Sequence, residues 1–290
     1  MKIAVFLSGP IRYADKVINK IESLNTKYDF DFFVHIWAED KTSKARDGAS
    51  KVMDLIDNPT KIKALIIEEA IDMEEIVKKY GAWTDTHSHV SSMFGMFCAI
   101  NKLINVLSTD VNYDTYTHIL RLRTDVALFG DDFFDGIDFN SNKVYVAKNY
   151  IINDTWVSDH IMLAKNKTFK KIWGYKNFKA FEKNFSYYAR NPEFFLKHKV
   201  NKKQLVNKWL RYENYQIVYN PIKESDPDTF NKLQKSEGVD AIFAFQHNQS
   251  TLESVRIFNQ NLKAGNKDYF SLRLRLIRIV KRFRSKKIAV

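Results

Sequence analysis

Short apolar runs alternate with amphipathic stretches over the first 165 or so residues. Ile3–Leu7 is a continuous apolar run closed by Ser8-Gly9-Pro10, the pattern of a buried strand entering a turn. Val17, Ile18, Ile21 and Leu24 recur at helical spacing and predict a helix over 13–26. Phe30, Phe32, Phe33, Val34, Ile36 and Trp37 predict a second buried strand, and residues 38–60 a polar loop. Further strands are predicted at Ala64–Ile67, His118–Leu128 and Val144–Ala147, with a short helix at Met73–Tyr80. Residues 90–107 are apolar almost all round, which predicts a buried helix. Strands alternating with helices argue for an α/β fold with a mostly parallel sheet covered on both faces. Beyond about residue 165 the pattern changes. Residues 168–215 are rich in aromatic and basic positions and read as helical, Ile217–Tyr219 reads as a late strand, and 224–236 opens like a helix.

Composition narrows the class. The chain has 290 residues, 45% hydrophobic and 28% charged, which excludes a disordered, collagen-like or disulfide-stapled protein. No internal repeat is visible, and one domain over 1–265 is expected, followed by a tail at 266–290. The net charge of +12 is concentrated in that tail: residues 271–287 hold eight Lys/Arg and no acid. Without them the 46 basic and 34 acidic residues become 38 against 34. The whole-chain charge therefore does not imply a nucleic-acid-binding body, and no nucleic-acid partner is expected. Leu272, Leu274, Leu276, Ile277, Ile279, Val280 and Phe283 add apolar surface among those cations. The tail thus suits an anionic membrane surface, with a nucleic-acid contact or a plain solvated helix as alternatives. No apolar run approaches the length of a membrane span, and no small-residue cleavage site follows the N-terminal run. The one cysteine, Cys98, lies in an apolar run and reads as a buried thiol, which fits a reducing cytoplasm.

Five polar groups interrupt the apolar pattern. Ser8-Gly9-Pro10-Ile11-Arg12 follows the first strand, where small residues let backbone approach a ligand and Arg12 can pair with a phosphate; a tight turn with an exposed Arg is the plain alternative. Ile119-Leu120-Arg121-Leu122-Arg123-Thr124-Asp125 is an apolar strand that fills abruptly with charge. Two guanidinium groups and a carboxylate at a strand end suit a nucleoside diphosphate, with or without a divalent metal, or else form an internal ion pair. Asn153–His160 is a polar patch in which Asp159 reads as a general base or a turn residue, with His160 second; neighbours in an extended segment point to opposite faces, so Ser158, Asp159 and His160 are not a triad. Asp85, His87 and His89 share a face only if extended, with no further ligand cluster, and Asp131, Asp132 and Asp135 read as a solvated turn.

These pieces in this order resemble the glycosyltransferases of bacterial capsule, O-antigen and lipooligosaccharide clusters. The likeness is carried by Ile-Ala-Val-Phe-Leu-Ser-Gly-Pro-Ile-Arg at the start, Asp-Phe-Phe-Val-His-Ile-Trp at 31–37, Met93-Phe94-Gly95-Met96-Phe97, the Arg-Leu-Arg-Thr-Asp strand end and Val-Ser-Asp-His at 157–160. It covers about residues 1–175. The resemblance implies an A-type nucleotide-diphospho-sugar transferase fold, a single α/β/α sandwich with a helical C-terminal region. In it 1–165 would bind the donor and 166–265 form the acceptor side, where aromatic rings stack on sugars. The implied donor-binding residues are Ser8, Gly9, Pro10, Arg12, Arg121, Arg123 and Asp125; the implied catalytic residues are Asp159 and His160. The family's Asp-x-Asp motif is Arg123-Thr124-Asp125 here, so Asp125 keeps one metal ligand while Arg replaces the other, which leaves Mn or Mg dependence open. The implied activity is sugar transfer from a nucleotide sugar to a growing bacterial surface glycan, with a glycan or lipid-linked acceptor. The implied place is the cytoplasm, peripheral on the inner face of the cell membrane through 271–287. A non-catalytic binding or scaffold protein of polysaccharide assembly is the alternative.

Overall fold

A computed structural model describes residues 1–10, 14–24, 27–37, 56–69, 71, 90–109, 113–128, 133–146, 157–177, 179–181, 192–202, 205, 207–209 and 215–217. The chain separates into two units, Met1–His247 and Asn248–Val290, and every described residue belongs to the first. The tail, the expected boundary near 265, the helices expected at 73–80 and 224–236, Arg12, Asp85, His87, His89, Asp131, Asp132 and 153–156 lie outside the described residues.

Seven strands form one sheet. They are β1 (Lys2–Pro10), β2 (Asp29–Trp37), β3 (Ile62–Glu68), β4 (Tyr116–Arg123), β6 (Val144–Val146), β7 (Ile161–Lys165) and β8 (Asn207–Trp209), in the spatial order β3-β2-β1-β4-β7-β6-β8. β1 runs parallel to β2 and β4, β2 to β3, and β6 to β8; β7 alone is antiparallel to its neighbours. The sheet is therefore mostly parallel, as the alternation of elements predicts.

Both faces of the sheet are covered, which is why its strands read as unbroken apolar runs. On one face Ile3, Val5, Leu7, Phe32, Val34 and Leu120 pack against Val17, Ile18 and Ile21 of α1 (Ala14–Ser23). On the other, Phe6, Phe33, Ile119 and Met162 meet α2 (Val90–Thr109), α3 (Asn166–Trp173) and α4 (Pro192–Lys202). α2 crosses β2 closely: a Cβ on Gly95 would lie 3.1 Å from Trp37 Cζ2. No helix of the described residues is long and apolar enough to cross a membrane.

Four expectations change. The strand expected at 118–128 is two: a turn at Thr124 and Asp125 ends β4, and β5 (Val126–Leu128) pairs instead with β9 (Tyr215–Ile217) in a separate two-stranded sheet. The break follows from local chemistry, since both turn side chains are engaged away from the sheet ladder, Thr124 with Pro10 and Asp125 with Arg123. β8 adds a strand inside the stretch read as helical; three residues are too short for a periodic signal. The aromatic rings after 168 that are described pack inward rather than toward a sugar: Phe169, Trp173, Phe181 and Phe195 are buried, and the last three surround Phe97 at 5.0–5.3 Å between centroids. α2 buries a broad apolar face and exposes Lys102, Asn105 and Ser108, and these rings supply the partner layer for the buried face. Cys98 is half-buried rather than sealed in, with its Sγ 3.5 Å from the Tyr175 hydroxyl.

Candidate active site at the reversal of strand order

The chain builds β2 and β3 on one side of β1 and places β4 on the other, so strand order reverses between β1 and β4. In open α/β sheets a crevice forms outside the carboxyl ends of the strands at such a point. Ser8 and Arg123 are register partners there. Thr124 Oγ1 donates to the Pro10 carbonyl at 2.5 Å and ties the two strand ends together. Gly9 has φ +139°, a conformation other residues rarely adopt.

The antiparallel direction of β7 completes the site. Ile161, its first residue, pairs with Leu122 near the end of β4, so Asp159 and His160 arrive beside Arg123. The segment is a bend rather than an extended strand, and it brings His160 Nε2 within 3.6 Å of Asp159 Oδ1. That corrects the expectation that these neighbours point to opposite faces. Arg121 holds the bend from below: its NH1 donates to the His160 carbonyl at 2.9 Å, and its guanidinium lies 5.1 Å from the Trp173 ring. The Val157 N–H donates to the Glu193 carbonyl at 3.3 Å, joining the same segment to the first turn of α4.

Arg123 grips Asp125 through two parallel bonds, Nε to Oδ1 and NH2 to Oδ2, both 2.9 Å. Asp125 is wholly buried, whereas the Arg123 side chain is 25% exposed. Among the described residues Ser8 Oγ and Arg121 Nε are buried without a hydrogen-bond partner, as is His35 Nδ1 on β2.

The charges act on one another. Burial lowers Arg121 to about 10, against the pull of Asp159. Burial pushes the Asp159 carboxyl up, but His160, Arg121 and Arg123 together hold it below the ordinary carboxylate value. Burial lowers His160 to about 4, more strongly than Asp159 raises it, so the imidazole is neutral at pH 7. Burial, and then the Asp159 charge, raise Glu193 to about 7, while its own backbone and Arg123 pull it down.

Of the residues singled out in the sequence, Ser8, Gly9, Pro10, Arg121, Arg123, Asp125, Asp159 and His160 come together; Arg12 follows β1 outside the described residues. Glu193 was not singled out. Pro192-Glu193 marks a helix start in the sequence, but nothing there sets it against Asp159. Among the described residues no group of three His, Cys, Asp or Glu side chains is arranged to hold a metal ion. Both Asp125 oxygens accept from Arg123, which leaves one further lone pair on each for a divalent ion.

No protein-family model matches the chain, and no curated protein matches it in sequence. Similar solved structures include a mutant of the Drosophila β-1,4-galactosyltransferase 7 in complex with manganese, UDP-Gal and xylobiose. It is 11% identical, over 77% of this chain and 73% of its own, with a TM-score of 0.40. Core-mannan synthase A from Aspergillus fumigatus in its Mn/GDP form is 8% identical over 75% and 74%, with a TM-score of 0.43. The glycosyltransferase GlyE of Streptococcus pneumoniae TIGR4 is 16% identical over 80% of this chain and 50% of its own, with a TM-score of 0.37. Similarities this distant carry no conclusion about activity, and the functional reading rests on the crevice.

Proposed function

We propose that the chain is a glycosyltransferase that moves a sugar from a nucleoside-diphosphate donor to a hydroxyl of a growing glycan. The observation that carries this reading is the meeting of a small-residue strand end, Ser8-Gly9-Pro10, with a guanidinium-bearing one, Arg121–Asp125, at the reversal of strand order. Small residues let the donor's phosphates approach the β1 backbone, and Ser8 Oγ is a hydrogen-bonding group facing no protein partner among the described residues. The partly exposed Arg123 is preset by Asp125, so its guanidinium meets the diphosphate with little further loss of side-chain freedom.

When the sugar–oxygen bond breaks, its electron pair goes to the diphosphate, and the cationic strand end stabilises that charge. Arg12, two residues past β1, is a second cation for this role. Asp159 is the anion toward which the acceptor hydroxyl orients, and neutral His160 is its neighbour. Asp125 would hold a divalent ion bound with the donor, and that ion would add positive charge at the diphosphate.

The acceptor is a bacterial surface glycan or its lipid-linked precursor, with the enzyme on the cytoplasmic face of the membrane. What supports this is the tail, eight cations interleaved with apolar residues over 271–287. Removing 271–290 is expected to abolish sedimentation with vesicles of anionic lipid; retained binding refutes the membrane role.

The deciding experiment is thermal. UDP and GDP, each with and without Mn²⁺ or Mg²⁺, are added to the full chain, and a nucleotide that binds the folded state raises Tm, by about 2.7 kcal/mol of stability at a hundredfold excess over Kd. Release of sugar from UDP-glucose, UDP-galactose and GDP-mannose is followed in parallel. A shift with either nucleotide, accompanied by donor cleavage, supports the reading. No shift with either overturns it.

A further inference from the structure

We propose that Glu193 takes the proton of the acceptor hydroxyl, with Asp159 as the anion that orients that hydroxyl. This rests on the sugar-transfer reading and names a catalytic residue for it. Three observations converge. The Val157–Glu193 backbone bond fixes the first turn of α4 against the segment that carries Asp159. Phe195, Leu196 and Val200 anchor one face of α4 in the core, which fixes the first turn that carries Glu193. Glu193 is only partly covered, whereas Asp159 is 8% exposed.

The two carboxyl groups are also pushed apart in proton affinity, which divides their roles. Asp159 is held ionised by Arg121 and Arg123 and is a weak base. Glu193, raised to about 7, sits where a base both accepts a proton and gives it back near neutral pH. The groups acting on it are Asp159 from the bend and Arg123 from β4, with His160 neutral beside Asp159. Lys197 lies one helical turn along α4. α3, which packs against α4, carries Lys167, Lys170 and Lys171, of which Lys170 is engaged by Ser108 and Tyr113.

The step balances. The acceptor O–H bond breaks and its proton forms an O–H bond on Glu193. The freed oxygen pair forms the new bond to the sugar's anomeric carbon, with inversion. The bond from that carbon to the diphosphate breaks, and its electrons leave with the nucleotide. Glu193 then returns the proton to solvent.

The test uses the full chain with the nucleotide sugar that it cleaves fastest among UDP-glucose, UDP-galactose and GDP-mannose, water serving as acceptor. The wild-type rate is expected to rise with pH through a limb near 7. Glu193→Gln is expected to lower kcat by about 10²- to 10⁴-fold, remove the limb, and leave donor KM and the nucleotide-induced Tm shift in place. Glu193→Asp is expected to keep part of the rate, with the limb moved to lower pH. An intact limb and near-normal kcat in Glu193→Gln overturn the assignment while leaving sugar transfer standing. A wild type with no nucleotide-induced Tm shift overturns sugar transfer itself. Should Glu193→Gln fail to fold, NMR of ¹³C-carboxyl-glutamate protein decides: a glutamate signal titrating near 7 and displaced by UDP or GDP supports the proposal, and its absence refutes it.

Discussion

The Thr124 hydroxyl reaches back 114 positions along the chain to the carbonyl of Pro10, at 2.5 Å, and so fixes the spacing of the two strand ends that form the crevice. Thr124 is 1% exposed, so its hydroxyl has no water to turn to. Thr124→Val keeps the shape and deletes the bond. The expected loss is about 1–3 kcal/mol in urea unfolding, because a carbonyl is left with one partner fewer. Nucleotide binding should weaken as well, and Thr124→Ser should restore both. A valine variant with wild-type stability and wild-type nucleotide response would show that the strand ends are set by the sheet alone.

The Arg123–Asp125 pair is unequal in its burial, and the two single mutants should differ for that reason. Replacing Arg123 with Met removes two charged hydrogen bonds from a wholly buried carboxylate, which costs about 3–5 kcal/mol. Replacing Asp125 with Asn leaves a cation with a quarter of its side chain in solvent, so the loss is smaller. Guanidinium unfolding of both mutants and of the double mutant measures the coupling. Equal losses in the two single mutants would contradict the asymmetry.

Gly9 combines a positive φ with a neighbour. Its φ is +139°, and an added Cβ would stand 3.4 Å from Thr124 Oγ1. Gly136 offers a control, with φ +76° and nothing within 4 Å of an added Cβ. Gly9→Ala is expected to cost about 1–3 kcal/mol through backbone strain and to blunt the Tm response to UDP or GDP. Gly136→Ala should lower stability by about 1 kcal/mol and leave that response intact. A nucleotide response unchanged in Gly9→Ala would remove the β1 end from the binding site.

Burial on both faces made the central strands readable. β1 and β2 are short apolar runs and α2 is apolar along most of its length, so each announces itself within a few residues, whereas the edge strand β3 is only partly buried. The break after β4 does not. Asp125 sits two residues past Arg123 at what looks like strand spacing, and only the turn at Thr124, held by a carbonyl 114 positions earlier, folds it back onto the guanidinium. The sequence reads the aromatic residues after 168 as a sugar platform, but Trp173, Phe181 and Phe195 face Phe97 and form a core layer, a partner that no local pattern reveals. Glu193 is invisible for a similar reason: 36 positions separate it from Val157, and a single backbone bond brings it to the site.

Two histidines make stability depend on pH below neutrality. His118 is 5% exposed, and burial, then the Lys165 charge, lower it to about 4; burial does the same to His160. Both folded values lie below the ordinary 6.5. Between about pH 6.5 and 4 the unfolded chain therefore binds protons that the folded chain refuses. The stability that these residues contribute is complete above about 6.5, declines as pH falls through that window, and stops declining below about 4, where both states are protonated. Glu193, raised to about 7, opposes the histidines by up to one proton between about pH 7 and 4.5, while His35, also lowered by burial, adds to them, so urea unfolding at intervals from pH 7.5 to 4.5 should show the net fall. His118 is the cleaner of the two to remove, since it lies at the amino end of β4, away from the crevice, with its ring edge-on to Phe139 at 5.1 Å. His118→Gln cannot take up the proton, so it should flatten the profile by close to one proton in that window while leaving the nucleotide-induced Tm shift at pH 7.5 unchanged. A profile as steep as the wild type's in that variant would mean that His118 is already charged in the folded protein.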